Sequence, residues 1–363
     1  MPGTLFRYVF ARSARSLAVA LIVVTGIIML VDFVEANRDL GAAEQVSSLQ
    51  LLALTALKTP SLIEQTIPFV VLFGMMGAIH GMNRRSELIV MRASGRSAWG
   101  ILKPALWLAA LVGLLWAGAV NPLATRLYDA FEALSADWFG QQVRTEGGES
   151  WFREGRGTEQ IVIRAGETDL ATQTLSEATF LFLQVEADGN TRFVRRLDAA
   201  YAELGDGVWR LSDVTSNAPG QTPRMQDTLD LPTTLDAGSR VEQTEGDQPA
   251  GFWDIPGAIR DKRDAGFSAR GLYLQLNRLL SLPVMLVAMT FIAAGVSMSL
   301  AREGGTLRLL ITGAALGFGV FFADSLVVAF GEVAVLPVIV AAWSVPVAVM
   351  LAGIAYLSRI EDG

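Results

Sequence analysis

The sequence predicts an α-helical membrane protein in which two blocks of three transmembrane helices flank an inserted β domain. Hydrophobic residues make up 52% of the 363 residues and charged residues only 18%. The apolar residues are concentrated in runs of about 20, the length that crosses a bilayer. The one long polar stretch, in the middle of the chain, alternates short apolar segments with turn residues, which is typical of strands.

Six apolar runs are expected to form the transmembrane helices. The first follows a basic segment with Arg7, Arg12 and Arg15, and Val34-Glu35-Ala36 after it resembles a signal cleavage site. The run is long for a signal peptide and five more follow, so we expect an uncleaved first helix. The runs cover approximately residues 16–33, 62–82, 99–120, 273–300, 307–330 and 333–357.

Domain limits follow from these runs: helices in residues 1–122, a β domain in 123–267, and helices in 268–363. Asn121-Pro122 is expected to close the third run. In the polar part, turn residues such as Gly205-Asp206-Gly207 separate five expected strands. The strands are expected at 160–165, 178–186, 192–204, 208–214 and 224–229.

Two strand segments of the β domain are apolar on both faces. They are Ile161-Val162-Ile163 and Phe180-Leu181-Phe182-Leu183. Such segments suit a curved sheet whose concave face is apolar. An ordinary sandwich core accounts for them equally well, and the strands alone do not separate the two interpretations.

The basic residues of the short loops predict the orientation. Lys and Arg favour the cytoplasmic side of a membrane, and the N-terminus, the 83–98 loop, the 301–308 loop and the C-terminal Arg359 are all basic. The consistent arrangement has both termini in the cytoplasm and the β domain on the opposite side.

Composition excludes several classes of site. The chain has no Cys and a single His, His80, so disulfides, thiolate nucleophiles and multi-His metal sites are excluded. A net charge of −7 is unlike a nucleic-acid-binding protein. The phosphate-binding pattern G-x-x-x-x-G-K-[ST] is absent. We therefore expect no catalytic residue, metal or cofactor in this chain, and active transport would draw its energy from a partner or an ion gradient.

The loop after the second run predicts a short capped helix within residues 84–95. Ser86 is expected to cap its start, Glu87 and Arg92 complement the helix dipole at the two ends, and Gly95 suits a left-handed C-cap. An amphipathic helix on the basic side is well placed to dock a cytoplasmic partner. A tight interfacial loop helix that docks nothing fits the same pattern, and both interpretations stay open.

Ionisable residues within apolar runs are costly and suggest function. Asp32, Glu64 and Arg278 lie near the ends of their runs, whereas Asp324 lies deeper and is expected to line a polar path or to pair across helices. In the same run, Gly313 and Gly317 have the spacing that lets a second helix approach closely.

The segment Arg85-Ser86-Glu87-Leu88-Ile89-Val90-Met91-Arg92-Ala93-Ser94-Gly95 resembles the coupling-helix signature of the LptF/LptG permeases of lipopolysaccharide export. Val31-Asp32 with Glu35, and Gly-Phe-Gly-Val-Phe-Phe-Ala-Asp at 317–324, look more like the LptG member. The arrangement of helices and β domain matches over essentially the whole chain.

The resemblance implies a bacterial inner-membrane permease with a periplasmic β-jellyroll domain. It implies a heterodimer with an LptF-like permease, an LptB-like ATPase dimer that binds ATP and Mg²⁺, and an LptC-like protein that pairs with the edge of the jellyroll. Lipopolysaccharide would enter a cavity between the two permeases through gates formed by spans one and five.

The resemblance also assigns roles to residues. Glu87 would meet a basic residue of the ATPase. Glu35, Asp129 and Glu132 stand where related proteins tend to be basic. This difference suggests that the lipid A of the substrate carries fewer phosphates. The assigned residues are Glu87, Leu88, Met91, Arg92 and Gly95 for ATPase coupling, Arg38, Arg126 and Asp324 for the lipid head group and cavity, Gly313 and Gly317 for the lateral gate, and Ile161, Ile163, Phe180 and Phe182 for the jellyroll groove.

We expect, therefore, a non-catalytic permease subunit that extracts lipopolysaccharide and passes it to a periplasmic bridge. The alternatives are a permease for another lipid or lipoprotein and a membrane scaffold that transports nothing.

Overall fold

A computed structural model describes residues 2–40, 47–139, 150–156, 159–169, 174–185, 191–205, 207–219, 222–233, 250–264, 268–299 and 305–362. The chain forms two compact units. The helical unit comprises Met1–Ser135, Pro249–Lys262 and Ser268–Gly363, and the sheet unit comprises Ala136–Gln248 and Arg263–Phe267. The expected domain limits after residues 122 and 267 stay predictions, although residues 123–135 group with the helices.

The elements follow the order helices, strands, helices along the chain. The helices are α1 (Pro2–Leu40), α2 (Ser48–Arg84), α3 (Glu87–Ala93), α4 (Ala98–Leu115), a π-helical turn (Trp116–Val120), α5 (Asn121–Phe139), α6 (Ile255–Asp264), α7 (Arg270–Ser299), α8 (Thr306–Glu332) and α9 (Val338–Asp362). The strands are β1 (Ser150–Arg156), β2 (Glu159–Ala165), β3 (Glu167–Asp169), β4 (Thr174–Val185), β5 (Thr191–Gly205), β6 (Val208–Asn217) and β7 (Arg224–Pro232).

Six helical segments in the described part of the chain are long and apolar enough to cross a membrane. Three precede the strands and three follow them, so a helical membrane protein with an inserted sheet domain is confirmed. The segments are Gly3–Arg38, Ser48–Arg84, Ala98–Ser135, Arg270–Met298, Thr306–Glu332 and Val338–Arg359.

The third segment does not end where the sequence predicted. Helical structure continues from α4 through the π-helical turn into α5, past Pro122. Proline lacks an N–H group and leaves the carbonyl four residues earlier without its helical donor. That carbonyl belongs to Gly118, and the indole Nε1 of Trp253 donates to it at 2.8 Å. The expected end of the helix was wrong because this distant donor is not visible in the local sequence.

Close backbone approach at glycines brings the helices of this unit together. A Cβ on Gly74 of α2 would lie 2.9 Å from the Cα of Leu17 in α1, and a Cβ on Gly113 of α4 would lie 2.5 Å from the Cα of Pro283 in α7. Helix α7 contacts α2, α4, α8 and α9 and is the centre of the unit. The main apolar cluster lies between these helices and includes Val70, Val71, Met75, Leu286 and Met289.

The strands form one antiparallel sheet in the order β1-β2-β4-β5-β6-β7, with β3 also paired to β4. The five predicted strands are present as β2, β4, β5, β6 and β7. A further strand, β1, is rich in charged residues, and β3 has only three residues. The predicted jellyroll stays a prediction, because the described strands give this single sheet.

One face of the sheet carries its apolar core. Phe180 of β4 lies opposite Ile163 of β2 and Leu197 of β5, as neighbours in register on the same face. All three are buried, and the ring of Phe180 packs edge-on against Trp209 with centroids 6.1 Å apart. The alternation of buried and exposed residues in β6 indicates a half-buried sheet.

Candidate functional site

The short helix predicted in the loop after α2 is present as α3. Helix α2 extends to Arg84, so α3 itself covers Glu87–Ala93, which is less than the predicted 84–95. Its C-terminal end forms the expected glycine cap: Gly95 has a φ of 78°, its N–H donates to the Arg92 carbonyl, and the N–H of Arg96 donates to the Met91 carbonyl. This pair of bonds is the Schellman motif.

The predicted N-cap of α3 is wrong. Ser86 has a φ of 60° and its side chain makes no capping bond. A capping serine needs an extended backbone, whereas only two residues join α2 to α3 and the chain must reverse within them. Ser86 therefore takes the left-handed conformation, and its N–H bonds the carbonyl of Asn83 at 2.9 Å.

Helix α3 has an anchored face and an open face. Leu88 is 6% exposed and belongs to a cluster that includes Ile79 and Met82 of α2, and Met91 packs against the same cluster. Ile89 and Val90 are 63% and 67% exposed. Val90 lies on the open face and not beside Leu88, because residues three apart share a helix face and residues two apart do not.

The carboxylate of Glu87 is hydrogen-bonded within the chain. The Tyr8 hydroxyl of α1 donates to Glu87 Oε2 at 2.7 Å. Sequence reasoning missed Tyr8, because 79 residues separate the two and neither residue has a local pattern that indicates the other. Arg92, the remaining charged residue of α3, is exposed.

An ion pair joins the C-terminal part of α1 to α2. The Lys58 ammonium lies 2.9 Å from Asp32 Oδ1, and the side chains are 33% and 10% exposed respectively. The carboxylate is therefore nearly enclosed, whereas the ammonium reaches the surface. Pairing of this kind lowers the cost of a carboxylate in an apolar segment.

A second ion pair joins α7 to α8. Arg278 Nη2 lies 4.0 Å from Asp324 Oδ2, with side chains 52% and 15% exposed. Arg278 and Asp324, which were identified separately in the sequence, are thus partners. The pairing across helices that was expected of Asp324 is present. The distance is at the limit of an ion pair, so this contact is looser than that of Asp32 with Lys58.

Glu64 belongs to a polar junction between α2 and α5. The amide Nδ2 of Asn121 donates to both carboxylate oxygens, at 3.1 and 2.9 Å. The amide oxygen of Asn121 accepts the backbone N–H of Phe252 at 2.9 Å. Asn121 is 3% exposed, so it is a buried polar residue with its carbonyl and amide groups both bonded.

Gly313 and Gly317 bring α8 close to α2. A Cβ on Gly317 would lie 2.5 Å from Leu72 Cδ2, and one on Gly313 would clash with the thioether of Met76. The close approach expected from their spacing is present, and the neighbouring helix belongs to the same chain. Their role as a lateral gate stays a prediction.

An open apolar cleft lies beside α1. Its volume is about 530 Å³. Arg38, at the C-terminal end of the same helix, is exposed, as are Arg126 of α5 and the acidic residues Glu35, Asp129 and Glu132. The cleft is lined by Gly26, Met29, Leu30 and Phe33 of α1 and by Ser48, Leu49 and Leu52 of α2.

The four residues expected to line a groove in the β domain share the apolar face of the sheet. Ile163 and Phe180 are fully buried, Phe182 is 8% exposed, and Ile161 is half-buried opposite Phe182. The Arg195 guanidinium lies 4.1 Å from the centroid of the Phe182 ring. Phe182 and Ile161 are therefore the more accessible members of this set.

Among the described residues, no group of three or more His, Cys, Asp or Glu side chains is arranged to hold a metal ion.

Comparison with protein families identifies the chain. The family model described as the lipopolysaccharide export system permease LptF/LptG matches residues 7–359. The chain belongs to the LptF/LptG family. A search of curated proteins finds no match. Together with the six apolar helices, the LptF/LptG assignment supports a multi-pass inner-membrane protein in a transporter permease family that is generally non-catalytic.

Proposed function

We propose that this chain is an LptG-like permease subunit that extracts lipopolysaccharide from the inner membrane. It pairs with an LptF-like permease, and an LptB-like ATPase dimer that binds ATP and Mg²⁺ supplies the energy. Both termini lie in the cytoplasm and the sheet unit in the periplasm. The family match over residues 7–359 is the observation that carries this proposal.

Helix α3 is the coupling helix in this proposal. Leu88 and Met91 fix it to the helical unit, and the Gly95 cap ends it. The open face, with Ile89, Val90 and Arg92, is left for the ATPase. An exposed apolar pair beside a cation is a surface that a partner of complementary shape and charge can bury. Glu87 supplies the anion for a basic residue of that partner.

Helices α1 and α8 face the lipid cavity. Only 11% of the apolar segment of α1 and 17% of that of α8 is buried, as is 17% of that of α9, compared with 56% for α2 and 61% for α7. A helix that leaves most of its apolar surface open is suited to contact lipid or a second permease. Gly313 and Gly317 seat α8 against α2 on its buried side, so that the opposite side of α8 forms a lateral gate.

The lipid head group lies at the C-terminal end of α1. Arg38 is exposed there, Arg126 of α5 is a second exposed cation, and the apolar cleft between α1 and α2 accepts an acyl chain. The Lys58 ammonium is already paired with Asp32, and Asp324 is paired with Arg278. Glu35, Asp129 and Glu132 are also exposed, so acidic side chains outnumber Arg38 and Arg126 among these described residues, which favours a lipid A that carries fewer phosphates.

The sheet unit receives the lipid and passes it on. Its apolar face supplies the groove, at Ile161 and Phe182 first and at Ile163 and Phe180 once that face opens. An edge strand of the sheet, extended into a jellyroll, pairs with an LptC-like partner. Main-chain hydrogen bonds along an open edge give this mode of assembly its affinity.

Co-purification and two variants test the proposal. We expect the chain to copurify with a second permease and an ATPase, and Glu87→Ala to lose ATPase binding or to separate hydrolysis from export. A photocrosslinker at Phe182 should give an ATP-dependent adduct with lipopolysaccharide, whereas one at Tyr201, exposed on the same sheet, serves as the control. Normal complex yield and export with Glu87→Ala would remove the coupling role of Glu87. The absence of an ATP-dependent adduct at Phe182 would instead favour a scaffold.

A dephosphorylated lipid A tests the head-group assignment. It should bind no more weakly than the phosphorylated form. A strong dependence on phosphate would contradict the assignment.

A further inference from the structure

A side-chain hydrogen bond connects the first membrane span to the coupling helix. Tyr8 lies two turns inside α1, its hydroxyl donates to Glu87 Oε2 at 2.7 Å, and its side chain is 43% exposed. Glu87 is the first residue of α3. The bond thus links two elements that are far apart in the sequence and close together at one end of the helical unit.

This hydrogen bond orients the carboxylate. A hydroxyl that donates to a carboxylate makes a short, charge-assisted bond of this length. The Tyr8 hydroxyl bonds Oε2, and a carboxylate has further lone pairs for a cation. A free Glu side chain must lose rotamer freedom when it binds a partner, and that loss weakens binding. Since Tyr8 already holds Glu87, less freedom remains to be lost.

Helix α1 connects the Tyr8–Glu87 contact to the far end of the first membrane span. It is continuous from Pro2 to Leu40, so the 24 residues from Tyr8 to Asp32 correspond to about 36 Å along the helix axis. At its other end, Asp32 is paired with Lys58 of α2. A displacement of α3 that keeps the Tyr8–Glu87 bond therefore displaces a rigid element that borders the apolar cleft.

We infer that Tyr8 is a positioning residue that orients Glu87 toward a cationic side chain of the ATPase and makes span α1 move with the coupling helix. The inference rests on the proposed function, because it requires the ATPase to dock on α3. It adds a path by which docking of the ATPase displaces the first membrane span.

Four variants of the full chain in its permease pair test the inference: Tyr8→Phe, Glu87→Gln, the double variant, and Tyr356→Phe as the control. Tyr356 of α9 is also 43% exposed, and its ring packs against Gly295. The measurements are the Kd of the purified ATPase dimer, lipid released per ATP hydrolysed at saturating ATPase, and the thermal unfolding midpoint.

We expect Tyr8→Phe to weaken ATPase binding about fivefold to tenfold, within the range expected when one side chain must be immobilised at an interface. Lipid released per ATP should also fall, and the unfolding midpoint should match that of Tyr356→Phe. In the Glu87→Gln background, Tyr8→Phe should add nothing, because the two residues act as one unit.

The outcomes separate this inference from the proposed function. Unchanged binding and export with Glu87→Gln would remove the coupling role of α3 itself. A loss with Glu87→Gln and none with Tyr8→Phe would overturn only the role of Tyr8. Additive losses, or a lower unfolding midpoint for Tyr8→Phe alone, would also overturn it, because they indicate a general structural contribution.

Discussion

Replacing Lys58 and replacing Asp32, the two members of one ion pair, should lower the stability of the protein by unequal amounts. Lys58→Met leaves a carboxylate whose side chain is 10% exposed without its cation, whereas Asp32→Asn leaves an ammonium whose side chain is 33% exposed. The lysine stem is flexible and can carry its charge to the surface. The aspartate is too short to do the same, so its charge stays enclosed.

The exposed fractions give the expected magnitudes. Breaking a buried pair by removing one partner costs about 3–5 kcal/mol, because an uncompensated charge remains. We therefore expect Lys58→Met to lower the free energy of unfolding by about 3 kcal/mol. Asp32→Asn should cost only about 1 kcal/mol, in the range of an exposed pair. The double variant should be more stable than Lys58→Met by about 2 kcal/mol, since it leaves no buried charge.

Unfolding of the purified chain by SDS in mixed micelles, followed by circular dichroism, measures these differences. Arg278→Met is the matched control, because it leaves a carboxylate of similar exposure, Asp324 at 15%, whose cation lies 4.0 Å away and therefore stabilises it less. Its cost should fall below that of Lys58→Met. Equal losses for Lys58→Met and Asp32→Asn, or additive losses in the double variant, would refute the assignment of a nearly enclosed carboxylate that depends on its lysine.

Two further predictions concern the packing of α8 and of α3. Gly317→Val should destabilise the chain by about 1–3 kcal/mol in the same SDS assay, because the added side chain meets α2 at van der Waals contact or closer. Gly319→Val is the control, because a Cβ at Gly319 has open space within 4 Å. It should show no comparable loss of stability. Leu88→Ala should lower the free energy of unfolding by about 2–3 kcal/mol, whereas Ile89→Ser should leave it nearly unchanged and reduce ATPase binding in a pull-down. The opposite order within either pair would contradict the described faces.

Local patterns account for most of what the sequence predicted correctly. Each transmembrane helix has its own apolar run, and strands such as β4 and β6 have apolar segments bounded by turn residues. The C-cap at Gly95 was also predictable, because a left-handed residue that ends a helix is most often glycine. These features depend on residues that are close together in the chain.

The sequence did not predict features that depend on distant partners. The helix continues past Pro122 because Trp253 donates to the carbonyl that the proline leaves open. Ser86 fails as a cap because the reversal between α2 and α3 fixes its backbone. The partner of Glu87 within the chain is Tyr8, and no rule of spacing relates residues so far apart. Strand β1 was missed because its residues are mostly polar or charged.

The π-helical turn at Trp116–Val120 has a genetic consequence. Such a turn accommodates one residue more than an α-helical turn, and each residue of an α-helix advances by about 100°. Five residues of a π-helical turn therefore turn the chain about as far as four residues of an α-helix, so deleting one residue of this segment would restore a regular helix and leave the orientation of α5 relative to α4 nearly unchanged. Asn121 would then still face Glu64. The loss of one codon from this segment is therefore compatible with the contact, whereas a regular helix that kept all five residues would turn Asn121 away from Glu64.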